Sequence, residues 1–285
     1  MAKGKDDKRK TGGRGKKKAE LTARNADRHE LYQAAVQSPS HEIEEVSRMF
    51  KEIRGRKALN LREDFCGTAL ACGAWVQSDP SRTAIGLDLD ADVLAWGRRK
   101  NIEPLGVDAA RVRLLQQDVI SITEPKVDLV LAFNFSFCIF KQRSRLLEYF
   151  RAVRGSLVDD GVFMLDLYGG TEAIASSYET RKCKLDGKRF KYHWDQHDYN
   201  PLTNEALNHI DFSFPDGSKM KRAFSYDWRL WTPMEVRETL EEAGFRSVRI
   251  WWEEEDEDGE GTGIHRPIEK VENQAGWLCY ISADR

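Results

Sequence analysis

The chain has 285 residues, enough for one large core or one core with an appended subdomain, and its hydrophobic and charged fractions of 40% and 32% are those of a globular protein in water. No apolar run approaches the roughly 18–20 residues that span a bilayer, and the basic N-terminus lacks the apolar stretch of a secretory signal. The net charge of −2 is unevenly held: residues 1–18 carry nine Lys or Arg against Asp6 and Asp7, a local charge of +7 that leaves −9 for the remainder.

That tail has no apolar residue beyond Met1 and Ala2, so it cannot recover its ordering entropy and is expected to be disordered over residues 1–20. Its charge suits a polyanion such as RNA or a ribosomal partner, or mere solubility. Five cysteines, Cys66, Cys72, Cys138, Cys183 and Cys279, are odd in number and scattered without a CxxC pair, which reads as reduced thiols in the cytoplasm rather than a disulfide frame or zinc site. Residues 22–36 predict a helix. Ser38-Pro39-Ser40 restarts one, with Ile43, Val46, Met49, Phe50 and Ile53 on a single face.

Function rests on residues 59–71, LNLREDFCGTALA. A short apolar run meets Glu63 and Asp64, then a small-residue turn, Cys66-Gly67-Thr68-Ala69, then an apolar run of helical character. Strand, tight turn and helix N-terminus is the unit with which open α/β sheets hold a nucleotide-like ligand. A pyrophosphate would call for the three glycines of G-x-G-x-x-G, and only Gly67 is present.

The stretch resembles instead the first motif of the class I S-adenosylmethionine-dependent methyltransferases, an acid, two variable positions and Cys-Gly-Thr-Gly. On that pattern Glu63 is the acid, Cys66, Gly67 and Thr68 match, and Phe65 and Ala69 stand where glycines are usual. The resemblance implies S-adenosylmethionine as cofactor. It also implies an N-terminal aromatic closing over the cofactor's methionine end, for which Tyr32 is the candidate; a tyrosine packed at a helix edge is the alternative.

Residues 83–88 form a second apolar strand ending in Asp88, which lies 25 positions beyond Glu63 and is followed by Leu89. That spacing suits an acid reaching a ribose diol. Asp90 is expected to cap a helix over residues 91–100. A third strand over 112–116 leads to Asp118 and Val119, which the resemblance assigns to the adenine amino group and ring. The fourth strand, 127–133, is a nearly continuous apolar run, as in a strand buried on both faces. It ends at Asn134, where cofactor and substrate meet in the resembled family; the Asn/Asp-Pro-Pro-Tyr/Phe sequence of enzymes that methylate exocyclic amines of bases is missing. An amphipathic helix and an Asp159-Asp160-Gly161 turn precede a fifth strand over 162–167, which contains Asp166.

After Tyr168-Gly169-Gly170 the pattern changes to strand-like segments at 189–196, 208–214 and 219–228, with a Pro215-Asp216-Gly217 hairpin turn. They are expected to form an antiparallel lid over residues 171–228, whose Tyr192, His193, Trp194, His197, Tyr226 and Trp228, with Arg229, would line a substrate pocket. Thr232-Pro233-Met234-Glu235 is a capping box that starts the last helix. Strands over 247–252 and 276–281 close the fold, separated by an acidic run at 253–260 and a polar loop.

The expectation is a doubly wound, seven-stranded, mostly parallel α/β sheet over residues 21–170 and 229–285 with an antiparallel β insertion, acting as a methyltransferase on a small molecule. Glu63, Cys66, Gly67, Thr68, Asp88, Leu89, Asp118, Val119, Asn134 and Tyr32 are the candidates for the cofactor, and Tyr168, Trp228 and Arg229 for the substrate. No base is assigned; His193, Tyr192 and Asp166 are candidates. No metal is expected. Rival readings are an inactive relative that binds RNA or a ribosomal partner, a protein or RNA methyltransferase, and a nucleotide-dependent oxidoreductase.

Overall fold

The computed structural model describes residues 20–259 and 261–285, so nearly all of the basic tail, and Glu260 of the acidic run, lie outside the described residues. Among the described residues, twelve strands form two sheets. The larger has eight, in the order β11-β10-β12-β5-β4-β1-β2-β3. Its parallel half consists of β3 (Val112–Gln116), β2 (Thr83–Asp88), β1 (Asn60–Asp64), β4 (Val127–Ala132) and β5 (Leu157–Gly169). Against β5 lies β12 (Trp277–Asp284), followed outward by β10 (Arg246–Glu255) and β11 (Gly261–Pro267), each antiparallel to its neighbour.

The sheet is wound on both faces because its central strands alternate apolar residues to either side. Leu129 and Leu131 of β4 join a core with α2 (Pro39–Arg54), α3 (Leu70–Ser78) and α4 (Ala91–Gly97). Val130 and Ala132 join the opposite core with α5 (Arg143–Ser156) and α6 (Pro233–Glu242). Strand order reverses between β1 and β4, and in such sheets the ligand crevice lies outside the carboxyl ends at that switch point.

The sheet has eight strands rather than the expected seven. The polar stretch read as a loop is β11, and it is pinned by α2: Glu45 accepts the His265 backbone N–H at 2.9 Å and Arg48 donates to the His265 carbonyl at 2.6 Å. β1 likewise starts and ends later than its apolar run, because Arg62 and Asp64 satisfy each other inside the strand; both are buried, 2.6 Å apart. The first helix is shorter than its pattern: α1 (Arg28–Val36) begins at Asp27, whose carboxylate accepts the N–H groups of His29 and Glu30. The expected cap by Asp90 and the Thr232–Glu235 capping box both form. Beyond Gly97 the helix widens into a π-turn over Arg98–Ile102.

The insertion is a second sheet of four antiparallel strands, β6 (Ser177–Leu185), β7 (Lys188–Asn200), β8 (Glu205–Ser213) and β9 (Lys219–Arg229). β6 is an addition to the expected three, hidden in the sequence because SYETRKCKL offers almost no apolar face. The inner face of this sheet, with Phe190, Tyr192, Ile210 and Phe212, packs on Leu31 of α1 and on Leu21 to form a third core. None of the helices among the described residues is long and apolar enough to cross a membrane.

Candidate functional site

The turn after β1 keeps an unusual backbone. Phe65, Gly67 and Ala69 all have left-handed φ, at 55°, 52° and 55°. Two of these positions are the ones where the sequence replaces glycine, so the loop is strained rather than reshaped, at a cost of roughly 1–2 kcal/mol for each non-glycine residue. An added Cβ on Gly67 would make only ordinary van der Waals contacts, the nearest with Val93 Cγ1 at 3.9 Å. α4 approaches the same loop so closely that a Cβ on Gly97 would fall 2.4 Å from the Thr68 carbonyl oxygen. Gln33 of α1 donates to the Thr68 hydroxyl at 2.8 Å, and Asn101 donates to its carbonyl at 2.8 Å.

Under the loop lies a buried network. Arg62 donates to Asp64, to the carbonyls of Val119 and Ser121 and to the Ser156 hydroxyl, while the Tyr149 hydroxyl donates to Asp64 at 2.8 Å. The Phe65 ring rests on Tyr149 and Phe140. Every charge in this network is paired, so its work is to fix the turn's geometry.

The acids above the loop are of a different kind. Glu63 accepts the N–H of Cys72 at 2.9 Å, but burial, reinforced by Glu42 and Asp88, pushes its carboxyl up to about 7. Asp166 holds the N–H groups of Asn134 and Phe135 at 2.9 and 2.8 Å; burial and Glu42 push it up to about 7 as well. Burial raises Glu42 itself. Glu42, Glu63 and Asp166, from α2, β1 and β5, are thus desolvated and coupled through Glu42; none has a Lys or Arg ion pair among the described residues, and His41 partly offsets Glu42. Asp88 accepts the Gly67 N–H at 2.8 Å and the Asp90 N–H at 2.9 Å, joining the second strand's end to the loop. A left-handed glycine beside acids raised by burial fits a ligand that brings an ammonium and a sulfonium.

Other predicted residues sit elsewhere. The buried Cys66 side chain lies against Gly86, and burial holds its thiol well above the ordinary range. Thr68 is buried, Leu89 is exposed, Asp118 accepts the N–H of Ile120, and Val119 is buried in the core.

Beyond β4 and β5 a cavity of about 410 Å³ opens under the insertion sheet. Its walls are mostly aromatic: Tyr32, Phe135, Tyr168, Tyr192, Trp194 and Trp228. Tyr226 also contributes, stacked on Trp228 with centroids 4.5 Å apart. Asn134 lines the cavity at its junction with the strand ends, and Glu172, Glu179, Arg181 and Gln196 add polar groups. Burial pushes the Tyr192 hydroxyl up to about 12 and raises that of Tyr168.

Three candidates are turned away. His193 is on the outer face of the insertion sheet, bonded to Thr180 and Ser213 at 2.8 Å each. Arg229 lies flat on Trp231 and bonds Glu235 and the Lys141 carbonyl. Asp166 has both oxygens occupied by backbone N–H groups and does not line the cavity. Glu42, Glu172 and Glu179 went unnoticed in the sequence. Glu42 looks like one more polar residue of an amphipathic helix, and the two others belong to stretches without apolar periodicity.

This arrangement of sheet, insertion and crevice is the fold of class I methyltransferases. The chain is similar to a S-adenosylmethionine-dependent methyltransferase from Clostridium acetobutylicum, with TM-score 0.67 and 15% identity over 90% of this chain and 96% of that one. It is similar to an amino pentose methyltransferase from Micromonospora echinaspora, solved with S-adenosylmethionine bound, with TM-score 0.66 and 16% identity over 90% and 95%. It also resembles a sugar N-methyltransferase from Streptoalloteichus, with TM-score 0.63 and 17% identity over 100% and 98%. No family model and no curated protein matches the sequence.

Proposed function

We propose that the protein transfers a methyl group from S-adenosylmethionine to a small polar molecule held in the aromatic cavity, and that the acceptor is an amine on a sugar-sized ring. One observation carries this reading: the acids raised by burial and the aromatic cavity meet at Asn134, which lines the cavity and donates its N–H to Asp166. The cofactor, when bound, supplies an activated methyl on a sulfonium. Glu63 and Glu42 would hold its cationic end, Asp88 its ribose, and Gly67 would admit the backbone close to it.

The chain's own contribution is mainly orientation, which can be worth several kcal/mol of the barrier. Aromatic faces attract an alkylammonium and exclude water from around it. Glu172 and Glu179 are the carboxylates that line the cavity, and Glu172 is the better fixed: its N–H donates to the Ala275 carbonyl at 2.8 Å and its carbonyl accepts Gln196 at 2.7 Å. Glu172 would take the proton that an ammonium must lose to become nucleophilic. Tyr192, pushed up to about 12, stays protonated at neutral pH and is fitted to hydrogen-bond the acceptor instead. The amine preference agrees with the activity named for the sugar N-methyltransferase, and the ring size with the amino pentose methyltransferase.

The test is a mass-spectrometric screen of amino sugars, their N-acetyl derivatives and parent sugars with S-adenosylmethionine. Methylation confined to free amines is expected. Turnover of none, or of hydroxyl acceptors alone, would contradict the amine assignment.

A further inference from the structure

The outer face of the insertion sheet has a feature the methyl-transfer reading does not use. In the register of β6 and β7, Lys182 stands opposite Lys191 and Lys184 opposite Arg189. The same row continues through Ser213 of β8 to Lys219 of β9. Directly opposed residues share a face, as do residues two apart along a strand. Lys182, Lys184, Arg189, Lys191 and Lys219 therefore form one field on the face that holds His193, all of them exposed and none in an ion pair among the described residues.

Like charges placed directly opposite each other in a sheet are destabilising. Two such pairs in one hairpin are a standing cost to the fold. Aliphatic or alternating-charge pairs would have avoided it. The field surrounds the short Ser213, and a cavity of about 560 Å³ at this end of the sheet counts Lys182, Lys184, Arg189, Lys191 and Ser213 among its lining residues.

We propose that this face binds the phosphate backbone of single-stranded nucleic acid. The cations are spread over three strands in two rows about 7 Å apart along the chain, a repeat that suits successive phosphates better than a single anion. A compact phosphate site would instead gather buried donors, and these side chains are exposed. On the same face, further along β6, Tyr178 is 53% exposed and stacked on His193 at 5.2 Å, which offers a platform for a base beside the charged track. The substrate cavity lies under the opposite face, so the two ligands do not compete for space.

Fluorescence anisotropy of the full chain with a short labelled oligouridylate at graded salt tests this. The double variant Lys182→Gln/Lys191→Gln is expected to bind at least tenfold more weakly at low salt, with a log–log salt slope shallower by about 1.4 for two lost phosphate contacts. Its melting temperature should equal or exceed that of the parent, since a repulsive pair is gone. Tyr178→Ala should weaken the oligouridylate but leave inorganic polyphosphate unaffected. Unchanged affinity and slope in the double variant would overturn the proposal, placing any binding on the N-terminal tail. Equal binding of polyphosphate with no effect of Tyr178→Ala would overturn the nucleic-acid assignment. A salt-sensitive self-association through the acidic stretch at 253–258, with no oligouridylate bound, would also overturn it. Calorimetry with S-adenosylmethionine is the control, because it reports on the crevice and not on this face.

Discussion

The strand-end crevice and the cavity under the insertion sheet lie side by side but are built from opposite resources. The crevice is made of backbone: a left-handed loop, helix ends held close, and acids whose oxygens mostly take main-chain N–H groups. The cavity is made of side chains, rings from α1, β5, β7 and β9 packed edge to face, tilted or stacked. A backbone device tolerates few residue types and leaves a mark in the sequence. An aromatic wall can be assembled in many ways and leaves almost none. The first surface should therefore be brittle to substitution and general in what it binds, the second forgiving and specific.

The largest effect is expected beneath the crevice. Asp64→Ala would leave the fully buried Arg62 guanidinium without its carboxylate, and breaking a buried pair costs about 3–5 kcal/mol. Urea unfolding should show a correspondingly lower midpoint; a loss under 1 kcal/mol would mean that the carbonyls around Arg62 suffice. Next in size is Glu172→Gln, expected to lower kcat about a hundredfold while leaving S-adenosylmethionine affinity unchanged. A change in cofactor affinity instead would tie Glu172 to the crevice and erase the distinction between the two surfaces. Trp194→Leu should raise KM for the acceptor about tenfold, by loss of roughly 1.4 kcal/mol of aromatic contact, with the cofactor again indifferent. Smallest is Ala69→Gly, which relieves the left-handed strain at that position and should stabilise the protein by up to about 1 kcal/mol. A loss of stability would show that the buried Ala69 methyl outweighs its backbone.

The same contrast explains what the sequence revealed. Gly67, Asp88 and Asn134 were legible because a loop, a strand end and a switch point each demand a residue type at a set spacing. Phe65 and Ala69 were legible only as departures, and the structure shows that the backbone kept the shape that glycine would have made easier. β6 and β11 escape the apolar pattern for one reason, that each is an edge strand of its sheet with few apolar residues; β6 is held by its hairpin partner β7, and β11 also by Glu45 and Arg48, distant in sequence. His193 differs from its neighbours by a single step of alternation: Tyr192 and Trp194 point inward, so the residue between them must point out. Glu42 lies beyond any local pattern, because only the fold couples it to Glu63 and Asp166.

The claim on which the account turns is that these acids are raised because they await the positive charge of the methyl donor. A raised carboxyl holds its proton up to about pH 7, so the stability it lends the empty protein is complete below its ordinary range near 4 and is lost as pH climbs through 7. A bound cation favours the ionised form, so binding must release that proton below pH 7. Calorimetric titration with S-adenosylmethionine between pH 5.5 and pH 7 measures this directly. Affinity should rise with pH, by at most about tenfold per unit for Glu63, with proton release seen as buffer-dependent heat, and Glu63→Gln should flatten that part of the rise. Affinity and heat that ignore pH in the parent protein would contradict the account.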